Sequence, residues 1–283
     1  MKYNPDIVYS NTSAENLGIF IAKILGKKHI WHIREFMARD YKFYFVLGKK
    51  LKSKFINWSD GSIYVSKSVL KEVHLDDDRN KIVIYNGISS SENTLMKSSV
   101  NLNEIVFGSV GVLDPAKGHH KAIYYFKSIS QLLPNSKFFI YGEKEGSYKQ
   151  KLIKQVFQLG LENRVIFRGF EKEQRKIYSS IDILLMFSKS EGFGRVTIEA
   201  ALNGIPVIGY DNAGTSELII DKKTGCLFKN EASFINSVKF LLSSEEMYSE
   251  IRENAFSNAY KNYSVGNYCT QVENFIIKIG TLR

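Results

Sequence analysis

The chain alternates short apolar runs with longer amphipathic ones from end to end. Short runs bounded by turn formers read as buried strands, and apolar positions recurring with helical period read as helices. The first part then predicts a strand over Asp6–Ser10, a helix over Ala14–Leu25 and a strand over His29–Ile33. A helix over Arg39–Trp58, a strand over Gly61–Val65, a helix over Ser66–Val73 and a strand over Lys81–Tyr85 follow. Residues 87–103 are polar, with Ser89-Ser90-Ser91-Glu92-Asn93, and read as a connection. A second series opens at Glu104–Val110, with strands near 137–141, 164–168, 182–187 and 205–210. Apolar strands alternating with helices imply an α/β protein with parallel sheets covered on both faces. The expected organisation is a partial α/β domain over 1–92, a linker over 93–103 and a complete domain over 104–262. A C-terminal helix over 263–283 is expected to pack back on the first domain. Ligands of such sheets sit at the carboxyl ends of the strands, and Gly111, Gly142, Gly169 and Gly192 all fall at those ends.

One segment carries more chemistry than the rest: Ser190-Glu191-Gly192-Phe193-Gly194-Arg195-Val196-Thr197-Ile198-Glu199. It lies between a strand over Ile181–Phe187 and a helix over Val196–Leu202, with a further strand at Ile205–Ile208. Gly192 and Gly194 leave room for a ligand to approach the backbone, since no Cβ intervenes. The helix that follows presents unpaired N–H groups and the positive end of its dipole, which suits a diphosphate. Glu191 at the mouth and Glu199 inside the helix can each accept hydrogen bonds from hydroxyls. A diphosphate flanked by two polyhydroxylated rings describes a nucleotide sugar. The spacing alone also fits a plain helix start, with one carboxylate favoured by the dipole and the other exposed.

Composition narrows the classes. The 283 residues are 44% hydrophobic and 24% charged, enough for two domains. No run of apolar residues reaches membrane-spanning length. The start, Met1-Lys2-Tyr3-Asn4-Pro5-Asp6, has no apolar core, so no secretory signal is expected. Cys226 and Cys269 point to a reduced, cytoplasmic chain without a disulfide framework. The five histidines show no ligand spacing, and neither a metal nor another cofactor is expected. Asp76-Asp77-Asp78 could be read as a metal-binding acidic pair, but loop acidity accounts for it equally. The net charge of +10 favours an anionic partner. Much of it lies in residues 34–54, where Arg34, Arg39, Lys42, Lys49, Lys50, Lys52 and Lys54 alternate with aromatic and aliphatic side chains. Such a stretch suits an anionic membrane surface, and it also suits a core helix with a solvated lysine face. No recognisable nucleic-acid-binding motif accompanies it, so no nucleic acid is expected as a partner.

The run Ser188–Leu218, including Asp211-Asn212-Ala213-Gly214-Thr215-Ser216-Glu217, resembles the nucleotide-sugar motif of glycosyltransferase family 4. Gly108-Ser109-Val110-Gly111 with Lys117-Gly118, Tyr141-Gly142-Glu143, Val165–Phe170 and Tyr85-Asn86-Gly87-Ile88 resemble other landmarks of that family in the same order. The resemblance implies the GT-B fold, with a complete Rossmann-like C-terminal domain and a partial Rossmann-like N-terminal one. It implies a metal-independent hexosyltransferase that moves a sugar, with retention, from a UDP-sugar to a glycan or lipid-linked acceptor in surface polysaccharide synthesis. The place of action would be the cytoplasm, at the inner face of the plasma membrane.

It also implies roles. Glu191 would bind donor-sugar hydroxyls and stabilise charge at the anomeric carbon, and Glu199 would accept from the ribose diol. The Gly192–Gly194 backbone would hold sugar and phosphate oxygens, and Phe193, Arg195 and Val196 would belong to the donor site. Gly111, Gly142, Gly169 and Phe170 would complete the donor site, and Lys117 would stabilise the departing diphosphate. His32 matches the family histidine that faces the donor sugar. Two departures stand out. Val112 occupies the place of an arginine that usually assists the lysine, and Arg34 is the expected substitute. Only about half of an N-terminal domain precedes the linker, which fits a reading frame cut short, a minimal enzyme or a chain completed by a protein partner. The alternative function is therefore a partner-dependent or non-catalytic donor-binding subunit.

Overall fold

The computed structural model describes residues 4–36, 48–73, 80–89 and 100–281. They form two units, one of residues up to Gly87 together with Tyr263 onward, the other spanning Ile88–Asn262.

The first unit contains β1 (Ile7–Ser10), α1 (Leu17–Ile24), β2 (Lys28–Ile33), α2 (Gly48–Asn57), β3 (Gly61–Tyr64), α3 (Lys67–Val73) and β4 (Lys81–Val83). Its four strands pair in the order β1-β2-β3-β4, all parallel. Residues two apart on a strand share a face, so Ile7 and Tyr9, Ile30 and His32, and Ile82 and Ile84 line one side. The helix that ends the chain covers this side with Val272, Phe275, Ile276 and Ile279. The helix expected from Ala14 begins at Leu17. The residues before it are committed elsewhere: the Ser13 N–H donates to Glu35 Oε1 of the neighbouring loop at 2.7 Å and the Leu17 N–H to Glu15 Oε1 at 2.7 Å. Of the helix expected over Arg39–Trp58, the part described is α2; residues 37–47 lie outside the described residues, as do Asp76–Asp78.

The second unit contains β5 (Val106–Val110), a 3-10 turn (Pro115–Lys117), α4 (His119–Leu132), β6 (Lys137–Tyr141), α5 (Ser147–Gln158), β7 (Val165–Gly169), α6 (Gln174–Ser179), β8 (Ile183–Met186), α7 (Arg195–Leu202), β9 (Val207–Tyr210), α8 (Ala213–Leu218), β10 (Cys226–Phe228), α9 (Glu231–Leu241) and α10 (Glu245–Tyr263). The final helix, α11 (Val265–Thr281), belongs to the first unit. Six parallel strands run in the order β10-β9-β8-β5-β6-β7. One face packs Phe107, Phe126, Phe138, Ile183, Phe228 and Phe234 under α4, α5 and α9. The other packs Tyr178, Ile181, Leu184, Ala200 and Val207 under α6 and α7. Strand β10 is absent from the sequence expectation; three residues are too few to show alternation. The strand expected from Ile205 begins at Val207, because Pro206 has no N–H to give the ladder.

Strand order reverses at β5. The chain moves from β5 to β6 and β7 on one side, then returns to place β8 on the other. At such a switch point the loops after the two central strands diverge and leave a crevice at their carboxyl ends. In this unit those loops are residues 111–118 and 187–194. The two cysteines differ: Cys226 is buried in β10, and Cys269 on α11 is exposed. Burial pushes the Cys226 thiol up to about 12, with Asp221 adding to the shift.

Candidate donor site

The two loops at the switch point meet through an ion pair. Lys117 Nζ lies 2.7 Å from Glu191 Oε1. Lys117 is fixed by the short turn that carries it, which Asp114 caps by accepting the Ala116 N–H at 3.0 Å. Glu191 is held by its backbone, whose carbonyl accepts the Gly214 N–H at 2.9 Å. The Lys189 N–H donates to the Ala116 carbonyl at 3.1 Å, and Asn212 Nδ2 donates to the Lys189 carbonyl. The two loops and the start of α8 are thus stitched together.

The strand-end glycines converge on the same place. The Gly111 N–H donates to the Tyr141 carbonyl at 2.9 Å, and the Gly142 N–H to the Gly169 carbonyl at 2.8 Å. Gly142 has φ +136, and a Cβ there would collide with the Gly111 carbonyl, so this crossing of loops requires glycine. Lys117 lays its methylenes along Gly111. His119, first residue of α4, is buried beneath this loop, with Nδ1 3.2 Å from Ser109 Oγ and Nε2 3.3 Å from the Val112 carbonyl oxygen. Burial pushes its pKa down to about 4, and the Lys117 charge adds to the effect. Val112 is 45% exposed and brings no charge.

Gly194 caps α7 with φ +94, and Arg195 opens the helix. Phe193 is buried, Gly192 is half-buried, and Val196 packs against the core below. Thr197, in the first turn, is 2% exposed, and its hydroxyl has no hydrogen-bond partner. Glu199 is 6% exposed. Three donors meet its carboxylate: Gln174 Nε2 at 2.9 Å and Arg195 Nε on Oε1, and the Tyr178 hydroxyl at 3.0 Å on Oε2. Burial, and next the Glu199 charge, raise the Tyr178 hydroxyl well above its ordinary range. Gln174 and Tyr178 carry no sequence signal of their own. The one available clue is that a buried carboxylate must find donors, and α6 supplies two of them. Gly169, at φ +69, ends β7, and Phe170 beyond it is 74% exposed. A cavity of about 480 Å³ opens beside them, lined by Tyr141, Ile166, Arg168, Glu171, Lys176 and Ser179.

The other two expected site residues lie in the first unit. His32 is completely buried in β2, with Nδ1 2.5 Å from the Tyr9 hydroxyl and its ring beside Tyr268. Burial, reinforced by Arg34, pushes its pKa down to about 3, so the ring is neutral at ordinary pH. Its Nε2 is buried without a partner. Arg34 is half-buried and donates to Asn11 Oδ1 at 2.8 Å, Asn86 Oδ1 at 3.1 Å and the Tyr268 hydroxyl at 2.6 Å, all neutral groups.

Among the described residues no cluster of three or more His, Cys, Asp or Glu could hold a metal ion. Nor is any helix among them long and apolar enough to cross a membrane.

Residues 90–258 match the family model described as glycosyl transferases group 1. An uncharacterized glycosyltransferase of Methanocaldococcus jannaschii, MJ1607, is 31% identical over 234 residues, which are 75% of this chain and 58% of that protein. The O-antigen biosynthesis glycosyltransferase WclY of Escherichia coli is 26% identical over 219 residues, 72% of this chain and 60% of that protein. The chain therefore spans about 60% of the length of these curated relatives. Among solved structures, the Anabaena protein HepE in complex with UDP superposes with a TM-score of 0.85 at 23% identity, covering 96% of this chain and 79% of that one. That likeness carries the GT-B fold, whose two Rossmann-like units correspond to the two described above. With the family model matching well over half of its length, the chain belongs to the group 1 glycosyltransferases.

Proposed function

We propose that this chain binds a nucleotide sugar, a UDP-sugar, on its second unit and transfers the sugar with retention to a glycan or lipid-linked acceptor in surface polysaccharide synthesis. The observation that carries the reading is the Lys117–Glu191 pair at the switch point, with Glu199 one turn into the helix that follows Glu191's loop. Lys117 and the start of α7 supply positive charge for a diphosphate, Glu191 stands where a sugar would follow, and Glu199 is set to take the ribose diol. In this reading the departing diphosphate deprotonates the acceptor on the same face, so no enzymic nucleophile is required, and Lys117 takes the place of a metal ion. The relatives lend support: HepE was solved with UDP, and WclY acts in O-antigen biosynthesis. Basic residues within 34–54 would hold the chain at the inner face of the plasma membrane, beside a lipid-linked acceptor.

A second reading is favoured by Val112, which is exposed and brings no charge to the site. In it the chain binds the donor and depends on a partner polypeptide for transfer. Calorimetry with UDP-, ADP- and GDP-sugars, followed by a transfer assay on the sugar that binds, tests both. Binding with transfer supports the first reading, and binding without transfer supports the second. If no nucleotide sugar binds, both are wrong.

A further inference from the structure

A carboxylate has room for four hydrogen bonds, two on each oxygen. In Glu199 three are occupied, by Gln174 and Arg195 on Oε1 and by Tyr178 on Oε2. A ribose diol brings two hydroxyl donors, so one of the three must leave before both hydroxyls are seated. Tyr178 is fully buried and cannot move without opening the core, and Gln174 is half-buried. Arg195 is the mobile one: its side chain is 68% exposed and makes its recorded contact one helical turn away. With Arg195 gone, Gln174, Tyr178 and two hydroxyls fill the four positions.

The guanidinium so released starts from the first residue of α7, next to the Gly194 cap. A Cβ on Gly194 would lie 3.9 Å from the Glu191 Cβ, and Glu191 is the partner of Lys117. Arg195 is thus anchored one residue from the cationic point of the site. That site has a lysine and, at Val112, no arginine. We propose that nucleoside diphosphate binding moves Arg195 from Glu199 to the diphosphate, making Arg195 the second cation of the site. Its planar fork suits phosphate oxygens better than a second ammonium would. The inference rests on the donor-binding reading. It replaces Arg34, whose described partners all belong to the first unit.

The exchange couples two halves of the ligand. A bare nucleoside must displace Arg195 and offers it nothing in return, whereas a nucleoside diphosphate displaces it and gives it a better partner. Calorimetry reads this with uridine and UDP, or with the adenine or guanine pair if the wild type prefers one. Arg195→Gln is expected to weaken UDP about tenfold or more, the scale of one lost charge-assisted hydrogen bond. Uridine is expected to bind as well as before or more tightly. Arg195→Lys, which keeps the charge but not the fork, should fall between. In a Glu199→Gln background, Arg195→Gln should still cost UDP affinity. Equal weakening of UDP and uridine would mean that Arg195 only orients Glu199, and unchanged UDP affinity would mean that it does not reach the diphosphate. Either result overturns the switch. A wild type that binds no nucleoside diphosphate would instead sink the donor-binding reading beneath it.

Discussion

At the residue scale, the two glutamates differ in what surrounds them. Glu191 is paired with a cation that, under the donor-binding proposal, a diphosphate would also claim, whereas Glu199 sits among donors that already satisfy most of its lone pairs. Substitutions should therefore act in opposite ways. Glu191→Gln is expected to depress transfer while leaving nucleoside diphosphate affinity intact or improved, because Lys117 loses a competing carboxylate. Glu199→Ala should lower that affinity by about 1.5–3 kcal/mol, the usual cost of losing a hydrogen-bonded charged partner. Calorimetry beside a transfer assay separates the two, and wild-type transfer by Glu191→Gln would remove Glu191 from the reacting site. Both glutamates were legible in the sequence because a glycine turn and a helix start fix their spacing. Gln174 and Tyr178 were not, since they reach Glu199 only through the packing of α6 against α7. The burial of His32 was hidden for a similar reason: its cover is Tyr268, more than two hundred residues away.

At the element scale, the alternation of strand and helix was readable almost throughout, because buried parallel strands are nearly continuous apolar runs. The ends were harder. The helix expected from Ala14 starts three residues late, because the Ala14 N–H is taken by Thr12 Oγ1 and the Leu17 N–H by Glu15 Oε1. The start of α4 carries a further consequence. His119 is neutral beneath the Gly111 loop, its pKa depressed to about 4 from an ordinary 6.5. A base with a lowered folded pKa binds fewer protons folded than unfolded between those values. Its contribution is therefore fully present above pH 6.5 and is lost as pH falls toward 4. The loss from this residue approaches about 2–3 kcal/mol near the lower limit. Denaturant unfolding followed across that range should show the decline, and His119→Gln should flatten it. The same slope in the variant would place the acid sensitivity elsewhere, with His29 and His32 the next groups to examine.

At the scale of the whole molecule, the excess positive charge is the feature without a role in the crevice. Sedimentation with anionic vesicles, released by salt, is the expected behaviour, since each lysine near such a surface contributes about 1 kcal/mol within a Debye length. Exposed Leu17, Ile21 and Ile24 on α1 and Trp58 after α2 offer apolar contact on the same unit. Changing Lys49, Lys50, Lys52 and Lys54 to Glu should abolish sedimentation and spare nucleotide binding; equal partitioning of variant and wild type would reduce these lysines to a solvated face. The polar stretch expected as the connection lies largely outside the described residues, and the change of unit falls between Gly87 and Ile88, with Val100 already in the second unit's core. The unequal cysteines have a practical consequence. A maleimide dye at neutral pH will find Cys269 accessible and Cys226 both enclosed and protonated. The unaltered chain therefore accepts a single fluorophore, on the first unit, whereas the candidate donor site belongs to the second. Any change in emission when a nucleotide is added would then report communication between the two units, with no engineered label.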